Sequence, residues 1–201
     1  MHIRELGVPH AWQFTPTQHA DDRGVFLEWF KAAEFEAATN RRFDLRQSNI
    51  SVSKRGVVRG IHFADVPTGQ AKYVTCVAGS ILDVIVDIRV GSPTFGQWDS
   101  VVLDDVDRAC VFLAEGLGHL FMATSESATV SYLTTDFYRP NSEHGVHPLD
   151  KQLALGLPID ALLSDRDAAA PTLSEALESG SLPLWQDCLD AYAAASIEGA
   201  S

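Results

Sequence analysis

Between Gln47 and Lys72 the chain reads QSNISVSKRGVVRGIHFADVPTGQAK, which places an imidazole, a guanidinium and an ammonium in a stretch that otherwise has strand character. His62 can take up and release a proton near neutral pH. Lys72 begins a strand after the turn ADVPTGQ and is a candidate for stabilising negative charge that develops on a carbonyl oxygen. Neither residue alone defines a site, because a lone strand histidine is more often a satisfied core residue and a lysine more often solvated. Tyr132 shares one strand parity with Val130, Thr134, Asp136 and Tyr138, so both tyrosines could face the same interior as His62. Asp167, in SDRD, could orient and polarise His62, although spacing does not establish a pairing across so much chain.

The elements that must position these residues are mostly strands. From Gln47 the pattern has period two, with Gln47, Asn49, Ser51 and Ser53 on one parity and Ser48, Ile50 and Val52 on the other. The polar row fits either a solvated sheet face or the wall of a polar cavity. Arg59 and His62 have opposite parity, so a cavity that holds both requires a bulge near Gly60. AKYVTCVAG is a further strand, and SILDVIVDIRV alternates an apolar row (Leu82, Val84, Val86, Ile88, Val90) with Asp83, Asp87 and Arg89. DSVVLDD, ACVFLAEG and SATVSYLTTDFY add strands, separated by turn residues in the manner of a sandwich or barrel.

Nearer the N-terminus, His2–Phe14 and Val25–Phe30 read as strands around TQHADDRG, a turn that puts Arg23 at a loop tip or strand entrance. FKAAEFEAATN reads as a short helix closed by Asn40. Beyond Pro140 a long loop runs to Pro171. Thr172 and Glu175 then form a capping box for one helix, LPLWQDCLDAYAAAS supplies another, and IEGAS is expected to fray.

The chain has 201 residues, 46% of them hydrophobic, with 27 acidic and 15 basic side chains and a formal charge of -12. Such a length suits one domain with a substantial core. The acidic balance disfavours nucleic-acid partners, while a few converging Arg and Lys still permit an anionic small molecule. Three scattered cysteines, Cys76, Cys110 and Cys188, point to reduced thiols in the cytoplasm. No stretch reaches the ~18 apolar residues of a membrane span. His-x-His spacing is missing, which argues against a metal centre of the cupin type. So are G-x-G-x-x-G, Walker and G-x-S-x-G signatures, which argues against nicotinamide enzymes, NTPases and α/β hydrolases.

With these residues set out, the chain closely resembles the dTDP-4-dehydrorhamnose 3,5-epimerase family. The matching pieces are DDRGVFLEWF, QSNISVSKRGVVRGIH, QAKYVTCVAGSILDVIVDIRVGSPTFGQW, AEGLGHLF, SYLTTDFYRPNSEHG and LLSDRDAAAP. The resemblance implies a mainly β, cupin-like jelly-roll barrel with short flanking helices and a helical C-terminal tail. It implies one epimerase domain over 1–201, with the barrel at about 44–140 and the C-terminal loop and helices at about 141–201. It also implies a cofactor-free homodimeric isomerase that converts dTDP-4-dehydro-6-deoxy-D-glucose to dTDP-4-dehydro-L-rhamnose by inversion at C3 and C5, in dTDP-L-rhamnose synthesis. The alternative is a monofunctional C3- or C5-epimerase of an antibiotic deoxysugar pathway.

By the same resemblance His62 matches the general base, Asp167 its partner carboxylate, Tyr132 the proton donor and Lys72 the residue near the C4 oxygen. Arg23, Glu28, Gln47, Asn49, Arg59, His119, Glu143 and Arg166 match nucleotide- or sugar-contacting positions, with Arg23 expected to arrive from a partner subunit, and Tyr138 an aromatic of the pocket. Two departures from the family pattern are Leu120, where Gly is usual, and Leu157, where Trp is common. The first is expected to alter how the sugar sits.

Overall fold

The polar alternation at Gln47–Lys54 folds as a strand, but its polar row turns inward. Residues 1–197 are described by a computed structural model, and in it Ser53 is buried while Ile50 and Val52, of opposite parity, are 71% and 62% exposed. The strand, β5 (Gln47–Lys54), lies at one edge of a six-stranded antiparallel sheet. Its order is β1 (His2–Glu5), β2 (Ala11–Thr15), β10 (Cys110–Leu113), β7 (Lys72–Ala78), β12 (Ser127–Thr134), β5. A second antiparallel sheet runs β13 (Glu143–Gly145), β6 (Val58–Ala64), β11 (Gly118–Ala123), β8 (Ser80–Val86), β9 (Trp98–Asp104). The two sheets pack face to face and stay separate, each keeping its own hydrogen-bond ladder. A hairpin of β3 (Gln18–Asp21) and β4 (Gly24–Leu27) stands apart from both.

Away from the edge strands β5 and β9, whose outer faces expose Ile50, Val52 and Val102, most of each sheet is covered on both faces, which explains its near-continuous apolar strands. Val74, Ile85, Leu103, Val111 and Val130 fill the space between the sheets. Outside the second sheet, Val58, Ile61, Val84 and Leu120 pack against Leu153, Leu155, Leu173 and Leu182 of the C-terminal region. Outside the first, Phe14, Tyr73 and Phe112 meet Phe35 of α1 (Ala32–Thr39) and Cys188 and Tyr192 of α4 (Trp185–Ala194). Asn40 closes α1 in the left-handed conformation. The Thr172–Glu175 capping box opens α3 (Leu173–Glu178) as expected. None of the helices described is long and apolar enough to cross a membrane.

Several boundaries differ from the sequence reading. The first expected strand is split between Glu5 and Ala11, where Gly7, Pro9 and a left-handed His10 (φ 68) break the extended chain. Part of TQHADDRG is strand rather than turn, and only Asp22 and Arg23 form the tip. Strand β11 had not been read, because five of its six residues are buried and so show no alternation. The loop after Pro140 contains β13 and α2 (Asp165–Ala168). Of the expected frayed end, only Ile197 lies within the described residues.

The charged row of SILDVIVDIRV is internal. Asp87 and Arg89 are wholly buried, with Arg89 Nε 2.8 Å from Asp87 Oδ1 and Nη2 2.7 Å from Oδ2. Arg89 Nη1 donates to the Tyr192 hydroxyl at 3.0 Å, its guanidinium lies 4.4 Å from the Trp185 ring centroid, and the Ser92 and Thr94 hydroxyls reach Asp87 Oδ2 at 2.6 Å. This network ties α4 to the end of β8. Burial raises the Asp87 carboxyl, but its bonds with Arg89, Ser92 and Thr94 outweigh that and hold it below the usual carboxylate range. Asp87→Ala leaves Arg89 charged and unpaired, and is expected to cost about 3–5 kcal/mol in urea unfolding at neutral pH. Because the folded value is the lower one, this stabilisation is full above the ordinary carboxylate range and fades as the pH falls through the depressed value. The gap from wild type should therefore narrow in acid.

Candidate active site

Strand parity and one bulge bring the polar side chains together. On β6, His62 lies opposite His119 and Arg59 opposite Phe121, so three steps on one strand face two on the other. The extra residue brings Arg59 and His62, of opposite parity, to one side, as the spacing around Gly60 required. Gly60 has φ +120, and a Cβ there would sit 2.3 Å from the His119 carbonyl oxygen and 2.8 Å from Leu120 Cα. Only glycine fits where the two strands approach so closely.

The result is a cavity of about 480 Å³. Its wall includes Gln47, Asn49 and Ser51 of β5, Arg59 and His62 of β6, Lys72 of β7, His119 and Phe121 of β11, and Tyr132 of β12. Tyr138, Glu143, Ser164, Arg166 and Asp167 also line it. Asp167 arrives on the short helix α2, whose cap, Ser164 Oγ, accepts the Asp167 N–H at 3.1 Å. Its Oδ1 lies 2.6 Å from His62 Nε2. Burial raises the Asp167 carboxyl, yet the His62 bond and charge, the Ser164 hydroxyl and the Gly60 backbone together hold it below the usual range. An ionised carboxylate only accepts, so Nε2 of His62 donates and Nδ1 keeps the lone pair of a base.

Lys72 sits deep in this cavity. Burial pushes its ammonium down from the ordinary lysine range, while the charges of Glu143 and Asp83 act the other way. Burial raises the Tyr132 phenol, with Arg59 opposing and Glu143 adding, so it bears its proton at neutral pH and can act as an acid. His119 Nε2 is 2.8 Å from Oδ2 of the wholly buried Asp83. Arg59 Nε donates to Ser53 Oγ at 3.0 Å, and Arg166 Nη2 donates to the Glu143 carbonyl at 2.8 Å. Gln47 bridges Asn49 Oδ1 (2.7 Å) and the Tyr138 N–H (3.1 Å). Among the described residues no group of three or more His, Cys, Asp or Glu side chains is arranged to hold a metal ion.

Two of the anticipated residues stand elsewhere. Arg23, at the β3–β4 tip, has a side chain 90% exposed and paired with Asp21, and Glu28 pairs with Lys31 at 3.4 Å. Neither lines this cavity. Leu120 does not touch the cavity either: alternation on β11 sends it into the apolar layer outside the sheet, wholly buried. The expectation that it alters the seat of a sugar is therefore corrected. Leu157 packs against the same layer. Sequence reasoning missed Ser51, Gln70, Phe121 and Ser164 as lining residues, and Asp83 as the partner of His119. Ser51 shares the parity of Gln47 and Asn49 and so could have been found, whereas Phe121 lies on β11, which shows no alternation.

Gly60→Ala is expected to force the β6–β11 approach apart, costing roughly 1–3 kcal/mol and separating His62 from Asp167. Thermal unfolding measures the first effect. The second is read from the His62 ring nitrogen signals in NMR spectra, which should lose the signature of a carboxylate-bonded Nε2–H.

A family model described as dTDP-4-dehydrorhamnose 3,5-epimerase matches residues 5–175. The chain is 54% identical to the dTDP-4-dehydrorhamnose 3,5-epimerase of Mycolicibacterium smegmatis, over 94% of either protein. It is also 54% identical to the dTDP-4-dehydrorhamnose 3-epimerase of Streptomyces niveus, over 94% of this chain and 91% of that one. The solved structure of a 3'-monoepimerase from Streptomyces bikiniensis in complex with dTDP-quinovose superposes with a TM-score of 0.91 at 44% identity, covering 94% of this chain and 97% of that one. Solved members of this group have a cupin-like fold, which the paired sheets here share. The chain thus belongs to the dTDP-4-dehydrorhamnose 3,5-epimerase family of sugar-nucleotide isomerases.

Proposed function

We propose that this protein epimerises dTDP-4-dehydro-6-deoxy-D-glucose at C3 and C5, giving dTDP-4-dehydro-L-rhamnose. The observation that carries the reading is the His62–Asp167 pair at 2.6 Å in one cavity with Lys72 and Tyr132. The C4 ketone acidifies the protons on both neighbouring carbons. His62 removes one of them, the electron pair moves onto the C4 oxygen as an enolate, and Lys72 stabilises that oxyanion. Tyr132 delivers a proton to the opposite face, inverting the carbon, and regains its own proton from solvent while His62 releases to solvent the proton it took. The cycle then repeats at the second carbon, and every step is a proton transfer.

Arg59 and Arg166 supply positive charge for the diphosphate. Gln47, Asn49, His119 and Glu143 contact the nucleotide or sugar, and Tyr138 packs on it. Arg23 and Glu28 do the same across a homodimer, entering the partner's cavity. Support for that assembly comes from the distance of both residues from their own cavity and from the exposed Phe26, Ile50 and Val52 on the hairpin and the β5 edge. The single epimerase domain acts in the cytoplasm, in keeping with three unpaired, buried cysteines. A second reading, inversion at C3 alone, is favoured by the equal identity to a 3-epimerase.

Incubation with the 4-keto sugar in deuterated water separates these readings. Deuterium at both C3 and C5 is expected, label confined to C3 would establish the second reading, and no label at either carbon would overturn both. His62→Ala should slow exchange at both carbons by about 100- to 10,000-fold. Tyr132→Phe should slow net inversion while proton abstraction continues, a split that NMR resolves by comparing exchange with product formation.

A further inference from the structure

Asp83 is wholly buried, yet only one of its carboxylate oxygens is bonded. Oδ2 lies 2.8 Å from His119 Nε2, and Oδ1 has no hydrogen-bond partner among the described residues. A buried carboxylate with an unmet oxygen is costly, and this one joins no elements beyond the β8–β11 pair that the backbone ladder already holds. Asp87, four residues along the same chain, shows the contrast: both its oxygens are bonded, and it anchors a helix. What Asp83 does reach is the cavity. His119 is the cross-strand partner of His62, so a second carboxylate–imidazole pair stands one strand away from the first. The Asp83 charge also favours the ammonium of Lys72, against the burial that disfavours it.

We propose that Asp83 is a positioning residue of the epimerisation: its carboxylate fixes His119 through Nε2 and serves as a buried counter-ion to the Lys72 ammonium, the hydrogen-bond donor toward the C4 oxygen. This rests on the reading of the cavity given above. The two carboxylates that pair with imidazoles at this site then differ in task. Asp167 leaves His62 free to accept a proton, whereas Asp83 supports positive charge where the enolate oxygen forms.

The test uses full-length protein and two measurements. Asp83→Asn, which keeps the volume and removes the charge, is expected to lower kcat for exchange at C3 and C5 by about 10- to 100-fold, with KM changed less than about threefold and an unaltered melting temperature. Wild-type kcat in this variant, or a loss that tracks a fall in melting temperature, would overturn the proposal. In wild-type protein with 15N-labelled histidine, assigned with His119→Gln, Nε2 of His119 should carry a proton in the absence of any sugar. An unprotonated Nε2 would overturn the proposal whether or not the variant folds. The failure of the epimerase reading is distinct: wild-type enzyme would then leave both carbons unlabelled, while the state of His119 would still report on its pairing with Asp83.

Discussion

The hydrogen bond between His62 and Asp167 joins residues 105 positions apart, and the site depends on the folding that brings them together. His62 belongs to a strand in the middle of a sheet, whereas Asp167 belongs to a segment with little regular structure. That segment is held by other means. Leu153 and Leu155 are buried against the outer face of the second sheet. Asp150 accepts from the Gln152 and Leu153 N–H groups through Oδ1 and from Leu173 through Oδ2. Val58 donates to the Leu162 carbonyl at 2.9 Å. These ties deliver Ser164 and α2 to the cavity mouth, and the Ser164 cap sets the direction of Asp167. A long loop is thereby made as well placed as a strand.

The charge distribution follows the same logic of local arrangement. The chain carries a formal charge of -12, which would repel a nucleotide sugar at long range if the charges were spread evenly. Arg59, Lys72 and Arg166 instead line one cavity, with Lys72 at its buried end and the two guanidinium groups nearer solvent. Glu143 and Asp167 line the same cavity, and Asp83 lies buried behind it against His119. Burial lowers the Lys72 ammonium and raises the Tyr132 phenol, so the two groups shift in opposite directions within one small volume.

Much of the strand framework was legible because alternation is a local signal. The Gln47–Lys54 row, the Asn40 stop, the Thr172–Glu175 box and the need for a bulge at Gly60 could all be read from neighbouring residues. Where both faces of a sheet are covered, alternation disappears, which is why β11 went unread and why Asp83 and Asp87 looked like an ordinary polar row. Which face of β5 met a cavity was not legible either, since a polar row looks the same against water as against a buried site. The meeting of His62 with Asp167 entered through family resemblance, because no spacing rule links them. The position of Arg23 outside this cavity agrees with the resemblance, which assigns it to a partner subunit, whereas that of Glu28 could not be read from the motif that carries it.

The central claim is that the sugar ring lies between His62 and Tyr132 with its C4 oxygen at Lys72. A crystal structure of the protein with a dTDP-linked hexose bound measures this directly. The account predicts His62 and Tyr132 on opposite faces of the ring, and the Lys72 Nζ within hydrogen-bond distance of the oxygen on C4. A sugar with both residues on one face, or with C4 turned away from Lys72, would contradict it.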